Sequence, residues 1–457
     1  MRAYENIVYV TNPVDAEYES MNIYIPEPYF ENQKLNGYSK DTAPIFFPNA
    51  IGGYMPAKAM TLPDESSSAQ TTQEQHGPSN ASSIKQALAK GLVVASPGAR
   101  GRSNKNAEGQ YYGKAPAAIV DLKAAVRYLR ANDKVMPGSA EYIISNGTSA
   151  GAALSLLLAA SANSADYTPY LKDLGAAQAS DAIYAASAYA LITNLEHADT
   201  AYEWLFNGVN SYKSIDVSTL DYKVERKYKT GTLTDKQIAV SNDLKAQFPA
   251  YVNSLKLRNR QGELLTLDEN GKGSFADLVA GYLAASAQHA MDTDSNFKAA
   301  NYPWLTIKDG KVTSVDLATY AKSVERQKTP PAFDALDLSA GENDEFGDAT
   351  TAAKHFTEYG FKNSTVANAQ MADPQIVKMM NPLNYIERGK KTGVAPYWRI
   401  RHGSIDKDTS LAIPTIVATK LENLGYNVDY ALAWDKPHSG DYDLPELFAW
   451  IEQITKK

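Results

Sequence analysis

Apolar and polar residues alternate along this chain with two different periods, and each period predicts one kind of element. Short apolar runs rich in β-branched residues predict strands at Ile7–Val10, Asn22–Ile25, Pro44–Phe47, Leu92–Ser96 and Tyr142–Ser145. Helical spacing of apolar residues predicts helices at Ala117–Ala131 and Ala152–Ala162. Strands that alternate with helices in this way are typical of a parallel sheet covered by helices on both faces.

The same alternation returns near the C-terminus, where strands are predicted at Tyr397–Arg401 and Val428–Trp434 and helices at Leu411–Leu424 and Leu444–Ile454. Between these two blocks, charged amphipathic stretches alternate with turns, and no strand–helix alternation continues. We therefore expect an α/β core in two parts, residues 1–204 and 381–457, with a large, mostly helical cap inserted at residues 205–380.

Composition and charge narrow the function classes. The chain has 457 residues, 44% of them hydrophobic and 21% charged, with a net charge of −7 and no long run of basic residues, so we expect no nucleic-acid partner. No apolar run approaches the roughly 18 residues of a membrane span, so we expect no membrane partner. No signal peptide is visible, which leaves a cytoplasmic location or secretion with the signal removed. The oligomeric state stays open, with a monomer as the default expectation.

The absence of cysteine excludes disulfides, thiol catalysis and thiolate metal ligands. The one stretch similar to the start of a calcium loop, Asp292–Ser295, lacks the glycine and the closing glutamate that such loops need. We therefore expect neither a metal nor another cofactor. The polar stretch Pro63–Ser83 is predicted to be a surface loop.

The residues Gly147-Thr148-Ser149-Ala150-Gly151 match the G-x-S-x-G pattern, and their context strengthens the match. A predicted strand precedes the pattern and a predicted helix follows it, as in the turn that presents the nucleophilic serine of the α/β-hydrolase fold. The glycines remove the Cβ atoms that would clash in so tight a turn. Ser149 is therefore the candidate nucleophile.

A serine hydroxyl needs an adjacent base, and in this fold a histidine follows the last strand. His438 lies just past the predicted strand that ends at Trp434 and is the one histidine in that position. His402 ends a strand near the candidate acids, where a structural hydrogen bond is the expected role. His197 follows the nucleophile and could line the site. The other histidines are assigned to the polar loop or the cap: His76, His289 and His355.

The acid is expected after the preceding strand, and two carboxylates lie there, Asp406 and Asp408. Such an acid holds the tautomer of the imidazole and stabilises the imidazolium. Spacing alone does not choose between the two. For the oxyanion, one backbone donor is the N–H of Ala150, and the double glycine after the third strand favours Gly53 as the other.

Beyond these residues, the chain resembles the bacterial tannases (tannin acylhydrolases), which are α/β-hydrolases with a large cap. The resemblance runs over almost the whole chain. It is carried by Pro48–Tyr54, Gly98–Arg102, Asn146–Gly151, Asn194–Asp199, Ala332–Asp334, Trp398–Gly403 and Pro437–Asp443. It implies a triad of Ser149, Asp406 and His438, with Ala150 and Gly53 as oxyanion donors.

The resemblance also implies that Lys328, Glu342 and Asp408 hold the galloyl ring, which resolves the choice between the two aspartates. From the residues alone, Lys328 and Glu342 are ordinary charged side chains of the cap. The implied function is hydrolysis of galloyl and protocatechuoyl esters, small-molecule substrates, through an acyl-enzyme and without a cofactor. The alternatives are a feruloyl, other hydroxycinnamoyl or general carboxylesterase of the same fold and, from another class, a non-catalytic hydrolase-fold binding protein.

Overall fold

A central β-sheet organises the molecule. The computed structural model describes residues 1–62, 80–220, 223–386 and 393–456. The strands are β1 (Arg2–Val8), β2 (Ser20–Ile25), β3 (Pro44–Pro48), β4 (Val93–Pro97), β5 (Ser139–Thr148), β6 (Ala185–Tyr189), β7 (Ser211–Leu220), β8 (Lys223–Thr232), β9 (Leu305–Lys308), β10 (Lys311–Val315), β11 (Tyr397–Gly403) and β12 (Asn427–Ala433).

Eight of these strands form one sheet in the order β1-β2-β4-β3-β5-β6-β11-β12. β2 is antiparallel to both β1 and β4, and the pairs from β4 through β12 are parallel. Every residue of β3, β4 and β6 is buried, so both faces of the sheet are covered. The predicted fold class, a mostly parallel sheet with helices on both faces, is confirmed.

The helices are α1 (Asn80–Ala89), α2 (Ala117–Ala131), α3 (Ala150–Ala160), α4 (Thr168–Asp173), α5 (Leu195–Phe206), α6 (Asp235–Ser254), α7 (Ser274–Thr293), α8 (Leu317–Val324), α9 (Gly341–Glu345), α10 (Glu358–Lys362), α11 (Pro374–Met379), α12 (Ala412–Asn423) and α13 (Leu444–Thr455). The buried helix α3 packs on β5 and β6, and Phe448 of α13 packs edge-on against Phe46 of β3 with ring centroids 5.4 Å apart. No helix among the described residues is long and apolar enough to span a membrane.

The register of the parallel strands brings distant parts of the sequence to one edge. Thr148 pairs with Tyr189, Tyr189 pairs with Arg401, and Gly403 pairs with Ala433. The carboxyl ends of β5, β6, β11 and β12 therefore lie side by side. The loops that follow β5, β11 and β12 carry the candidate nucleophile, acid and base.

The sequence pattern does not predict strand β6 or two hairpins. β6 is composed mainly of alanine, which has low β propensity, and its place between β5 and β11 comes from sheet pairing and burial. The segment between β6 and β11 also contains two antiparallel hairpins, β7–β8 and β9–β10, which add no strand to the main sheet.

In the predicted loop Pro63–Ser83, α1 already begins at Asn80, and residues 63–79 lie outside the described residues.

A buried ion pair joins α5 to the segment before Lys328. The guanidinium of Arg326 contacts the carboxylate of Glu203, and both side chains are fully buried. Arg326 also donates to the carbonyl of Lys328 at 2.8 Å and to that of Val209 at 3.2 Å, while Ser241 donates to Glu203 at 2.5 Å. The pair therefore fixes the backbone that carries Lys328.

Replacing Arg326 with Met is expected to lower the free energy of unfolding by about 3–5 kcal/mol, because Glu203 is left as a buried carboxyl without its counter-charge. Urea denaturation followed by tryptophan fluorescence measures the change. The matched control is Lys362→Met, which removes one member of the exposed pair with Glu358 and should leave the transition unchanged. Equal effects of the two substitutions would contradict a structural role for the buried pair.

Candidate active site

Ser149 occupies a strained turn between β5 and α3. Its backbone has φ 61° and ψ −123°, a positive-φ conformation that residues other than glycine rarely adopt. A Cβ on Gly147 would overlap the carbonyl of Gly151, and a Cβ on Gly151 would overlap the Asn49 side chain. Ser149 N–H donates to the carbonyl of Tyr189 at 3.0 Å. The turn is therefore held in place, with the serine at the N-terminus of a helix.

The structure brings the three predicted catalytic side chains into hydrogen-bonding contact. His438 Nε2 lies 3.0 Å from Ser149 Oγ, and His438 Nδ1 lies 2.8 Å from Asp406 Oδ2. Asp406 is fully buried, and its other oxygen accepts from the N–H of Asp408 at 2.9 Å. With Nδ1–H donating to the carboxylate, Nε2 is free to accept the serine proton.

Burial and neighbouring charges oppose each other at both ends of this contact. Burial alone would raise the pKa of Asp406, but the imidazoles of His438 and His402 and the hydrogen bonds outweigh it and lower this pKa to about 2. Burial alone would lower the pKa of His438, but the carboxylates of Asp406 and Asp408 raise it above its usual range, against the opposing charge of Lys328. The site therefore stabilises an imidazolium beside an ionised aspartate.

His402 lies behind the acid rather than in the hydrogen bond expected for it. Its Nε2 is 3.5 Å from Asp406 Oδ2, and both side chains are fully buried. Neither ring nitrogen has a hydrogen-bond partner among the described residues. Burial lowers the pKa of His402, against the attraction of Asp406. The prediction of a structural hydrogen bond is therefore wrong. At a separation of 3.5 Å, the interaction of the imidazole with Asp406 is electrostatic.

The predicted oxyanion donors lie on two segments tied together by Asn49. Ala150 is the first residue of α3, where a helix leaves its N–H without an intrahelical partner. The Asn49 amide donates to the carbonyls of Asn146 and Gly151, each at 3.2 Å. The loop that leads to Gly53 is thereby fixed against the nucleophile turn.

Arg102 connects this loop to the short helix α9. Its Nε donates to the carbonyl of Gly53 at 2.7 Å, and its backbone N–H donates to that of Tyr54 at 2.9 Å. The same guanidinium is paired with Asp344 of α9, the helix that also carries Glu342. Arg102 therefore holds the loop of the predicted donor Gly53 and the helix of Glu342 at a fixed separation.

Of the three predicted ring-binding residues, two are in contact and the third lies near them. Lys328 Nζ is 3.4 Å from Asp408 Oδ1 and 4.0 Å from the centroid of the Phe333 ring. Asp408 Oδ2 is 3.6 Å from His438 Nε2. Burial raises the pKa of Glu342, and the charges of Lys328 and Asp408 act on this carboxyl in opposite directions. Asp408 thus lies beside the catalytic imidazole with Lys328 next to it, and Glu342 lies close enough to both for their charges to act on it.

Sequence reasoning does not identify several residues that support the site. Gln327 donates to Asp408 Oδ1 at 2.7 Å, and Tyr202 OH accepts from the N–H of Lys328 at 3.0 Å. Arg102 lies in a stretch, Gly98–Arg102, that carries the tannase resemblance, which is the one signal that could have singled it out. No group of three or more carboxylates and histidines that could hold a metal ion occurs among the described residues.

This geometry defines the class of protein: a serine on a strand–helix turn, with a histidine and a buried aspartate on later loops, is typical of α/β-hydrolase serine hydrolases. Residues 68–229 match the BD-FAE family model. The crystal structure of Fusobacterium nucleatum tannase is 50% identical to the chain, with coverage of 100% of this chain and 95% of that one and a TM-score of 0.92.

The native structure of tannin acyl hydrolase from Lactobacillus plantarum is 47% identical, covers 99% of this chain and 94% of its own, and gives a TM-score of 0.90. A tannin acyl hydrolase in complex with ethyl gallate matches with the same values. No curated protein matches the chain. The chain belongs to the bacterial tannase family and is a carboxylic ester hydrolase.

The charges around His438 predict opposite pH shifts for two substitutions. His438 must be neutral to accept a proton, so kcat/KM falls as the pH drops through its pKa. Because Asp408 raises this pKa and Lys328 lowers it, Asp408→Asn should move the acid limb of the profile to lower pH by about one unit, and Lys328→Met should move it to higher pH. Profiles of kcat/KM against pH, measured with p-nitrophenyl acetate, show the direction of the shift in each variant. Shifts in the same direction would contradict the assignment.

Proposed function

We propose that this enzyme hydrolyses the galloyl ester bonds of gallate esters and hydrolysable tannins and releases gallic acid. One observation carries the proposal: a single carboxylate, Asp408, is 3.6 Å from the catalytic imidazole and 3.4 Å from Lys328. The carbonyl of a galloyl ester is bonded directly to its ring, so the groups that bind the ring hydroxyls must lie within the length of one ring and one hydrogen bond of the reacting carbonyl, in the same pocket as the attacking serine. The similarity to a tannin acyl hydrolase in complex with ethyl gallate supports the same conclusion.

In the acylation step, Ser149 Oγ attacks the ester carbonyl while His438 Nε2 takes the hydroxyl proton. The oxyanion accepts hydrogen bonds from the N–H groups of Ala150 and Gly53. The C–O bond to the alcohol then breaks, and His438 returns the proton to the leaving oxygen. The product of this step is a galloyl ester of Ser149.

In the second step, His438 takes a proton from water, and the resulting hydroxide attacks the galloyl-enzyme. The tetrahedral intermediate collapses with loss of Ser149 Oγ, which is protonated by His438, and gallic acid is released. Asp406 keeps the imidazole oriented and stabilises its cation in both steps. Neither step requires a cofactor.

Recognition of the ring rests on Lys328, Glu342 and Asp408. A galloyl ring has three adjacent phenol hydroxyls, which can donate to carboxylates in charge-assisted hydrogen bonds and accept from an ammonium group. Each such bond contributes about 1.5–3 kcal/mol, so two of them discriminate strongly against a ring that lacks hydroxyls. Protocatechuoyl esters, with two hydroxyls, retain part of this discrimination, and a solved tannin acyl hydrolase complex contains 3,4-dihydroxybenzoate.

Replacement of Ser149 by Ala should lower the release of gallic acid from propyl gallate by about 10⁴-fold or more, because the acyl-enzyme cannot form. Chromatography of the product measures the rate, and mass spectrometry after treatment with a fluorophosphonate should find an adduct on the unsubstituted enzyme but none on the Ser149 variant. The exposed residue Ser295, replaced by Ala, serves as the control. Retained turnover in the Ser149 variant would rule out the mechanism.

Replacement of Glu342 by Gln should reduce kcat/KM for methyl gallate by roughly 10- to 150-fold and leave methyl benzoate nearly unchanged, because benzoate offers no hydroxyl to the carboxyl. The ratio of the two specificity constants is the readout. Glu269→Gln, on the exposed surface of the cap, is the matched control. Equal losses on both esters, or a preference of the unsubstituted enzyme for methyl ferulate, would contradict galloyl recognition by these residues.

A further inference from the structure

A second cavity lies apart from the catalytic site. It has a volume of about 480 Å³, a size typical of small-molecule sites, and is lined by residues of α5, α6 and the segment from Phe356 to Val377. None of the triad, oxyanion or ring-binding residues lines it. Asp199, which does line it, accepts from the backbone of Phe333 and Asp334, so this stretch of chain separates the cavity from Lys328.

Two stacked rings form part of the cavity wall. The imidazole of His197 lies parallel to the phenol of Tyr251, with centroids 3.5 Å apart and an interplanar angle of 11°. Tyr251 OH accepts from the side-chain amide of Asn194 at 2.7 Å, which fixes the position of the Tyr251 ring. No hydrogen bond to either nitrogen of the His197 ring is found in the part of the chain that the structure describes. The half-buried imidazole of His197 therefore offers one N–H donor and one nitrogen acceptor that have no partner among the described residues.

A carboxyl stands next to these rings and is itself held in position. Glu196 Oε2 accepts from the Asn381 amide at 2.7 Å, and Asn381 also donates to Asn194 at 3.0 Å. One buried network thus orients both Glu196 and Tyr251. Leu244, Phe356 and Val377 supply apolar lining. Polar groups on a preorganised network beside an apolar surface are the usual features of a ligand site.

The charges around the cavity restrict what it can hold. Among the described residues that line it, none is a lysine or arginine, whereas three carboxyls are present, those of Glu196, Asp199 and Glu358. Burial lowers the pKa of His197 to about 4, so this ring is neutral at pH 7, and burial raises the pKa of Glu196. Anions are disfavoured by the carboxyls, and any ion is disfavoured by loss of hydration. A ligand that meets these constraints is a neutral aromatic ring that carries hydroxyl donors.

We propose that this cavity is a second binding site, in which an uncharged, hydroxylated aromatic ring hydrogen-bonds to His197 and Glu196. A phenol hydroxyl can donate to the free imidazole nitrogen or to Glu196 and accept from the imidazole N–H. The flat ring packs against the apolar lining. The site accepts neutral phenols and rejects the carboxylate form of a phenolic acid, so it discriminates between an uncharged ester and its ionised acid product. Its existence does not depend on which ester the enzyme hydrolyses.

The test uses the six histidines of the chain as reporters. Long-range ¹H–¹⁵N spectra of histidine-labelled protein are followed during titration with pyrogallol, a neutral probe that cannot be hydrolysed. We expect saturable shifts of the His197 ring resonances, with an affinity different from the one that His438 reports. Sodium gallate should leave His197 unshifted. His197 resonances that stay fixed, or that respond equally to pyrogallol and gallate, would overturn the proposal.

His197→Phe provides a matched variant, because it keeps a ring on Tyr251 and removes only nitrogens that have no partner in the described protein. In calorimetric titration of this variant with pyrogallol, the binding phase assigned to the His197 site should be absent. The values of kcat and KM for methyl gallate should stay unchanged. Glu196→Gln should weaken the same phase about tenfold. Pyrogallol binding to both variants as to the unsubstituted enzyme would refute the site. If the Phe variant fails to fold, the titration of the unsubstituted enzyme still decides.

Discussion

The tight turn between β5 and α3 fixes the position of Ser149, and the rest of the site is built around it. The turn requires glycine on both sides, because a Cβ on Gly147 would overlap the carbonyl of Gly151 and a Cβ on Gly151 would overlap the Asn49 side chain. The hydrogen bond from Ser149 to Tyr189 ties the turn to β6, and the parallel register of β6 with β11 then sets where the acid loop begins. The approach of Ser149, Asp406 and His438 is therefore a property of the sheet edge rather than of the loops alone.

In the proposed mechanism, ring recognition and proton transfer share a charged group. Asp408 lies between the catalytic imidazole and Lys328, so a change in its hydrogen bonding acts on both. Arg102 makes a comparable connection on the other side of the site, since it binds Gly53 and the helix of Glu342. These contacts bring the segment between β6 and β11 into the chemistry of the core loops.

The sequence predicts the parts of the structure that depend on local pattern. The helix at Ala117–Ala131 has the predicted bounds, and the G-x-S-x-G turn and the last strand single out Ser149 and His438. Spacing could not choose between Asp406 and Asp408, because both follow β11 and both lie near His438. β6 and the contacts of Gln327 and Arg102 depend on residues far away in sequence, which periodicity does not record. The cavity at His197 is of the same kind, since it forms only where α5, α6 and a later loop meet.

The buried pair of Arg326 and Glu203 has a consequence for how the enzyme fails on heating. Local detachment of the segment around Lys328 would leave the carboxylate of Glu203 buried without its counter-charge. Tyr202 of the same helix, α5, donates to the carbonyl of Lys407 in the acid loop at 2.9 Å, so the segment, α5 and the acid loop form one cooperative unit. The temperature at which discrimination among esters is lost should therefore coincide with the temperature at which hydrolysis itself stops, with no intermediate range in which a less selective esterase survives.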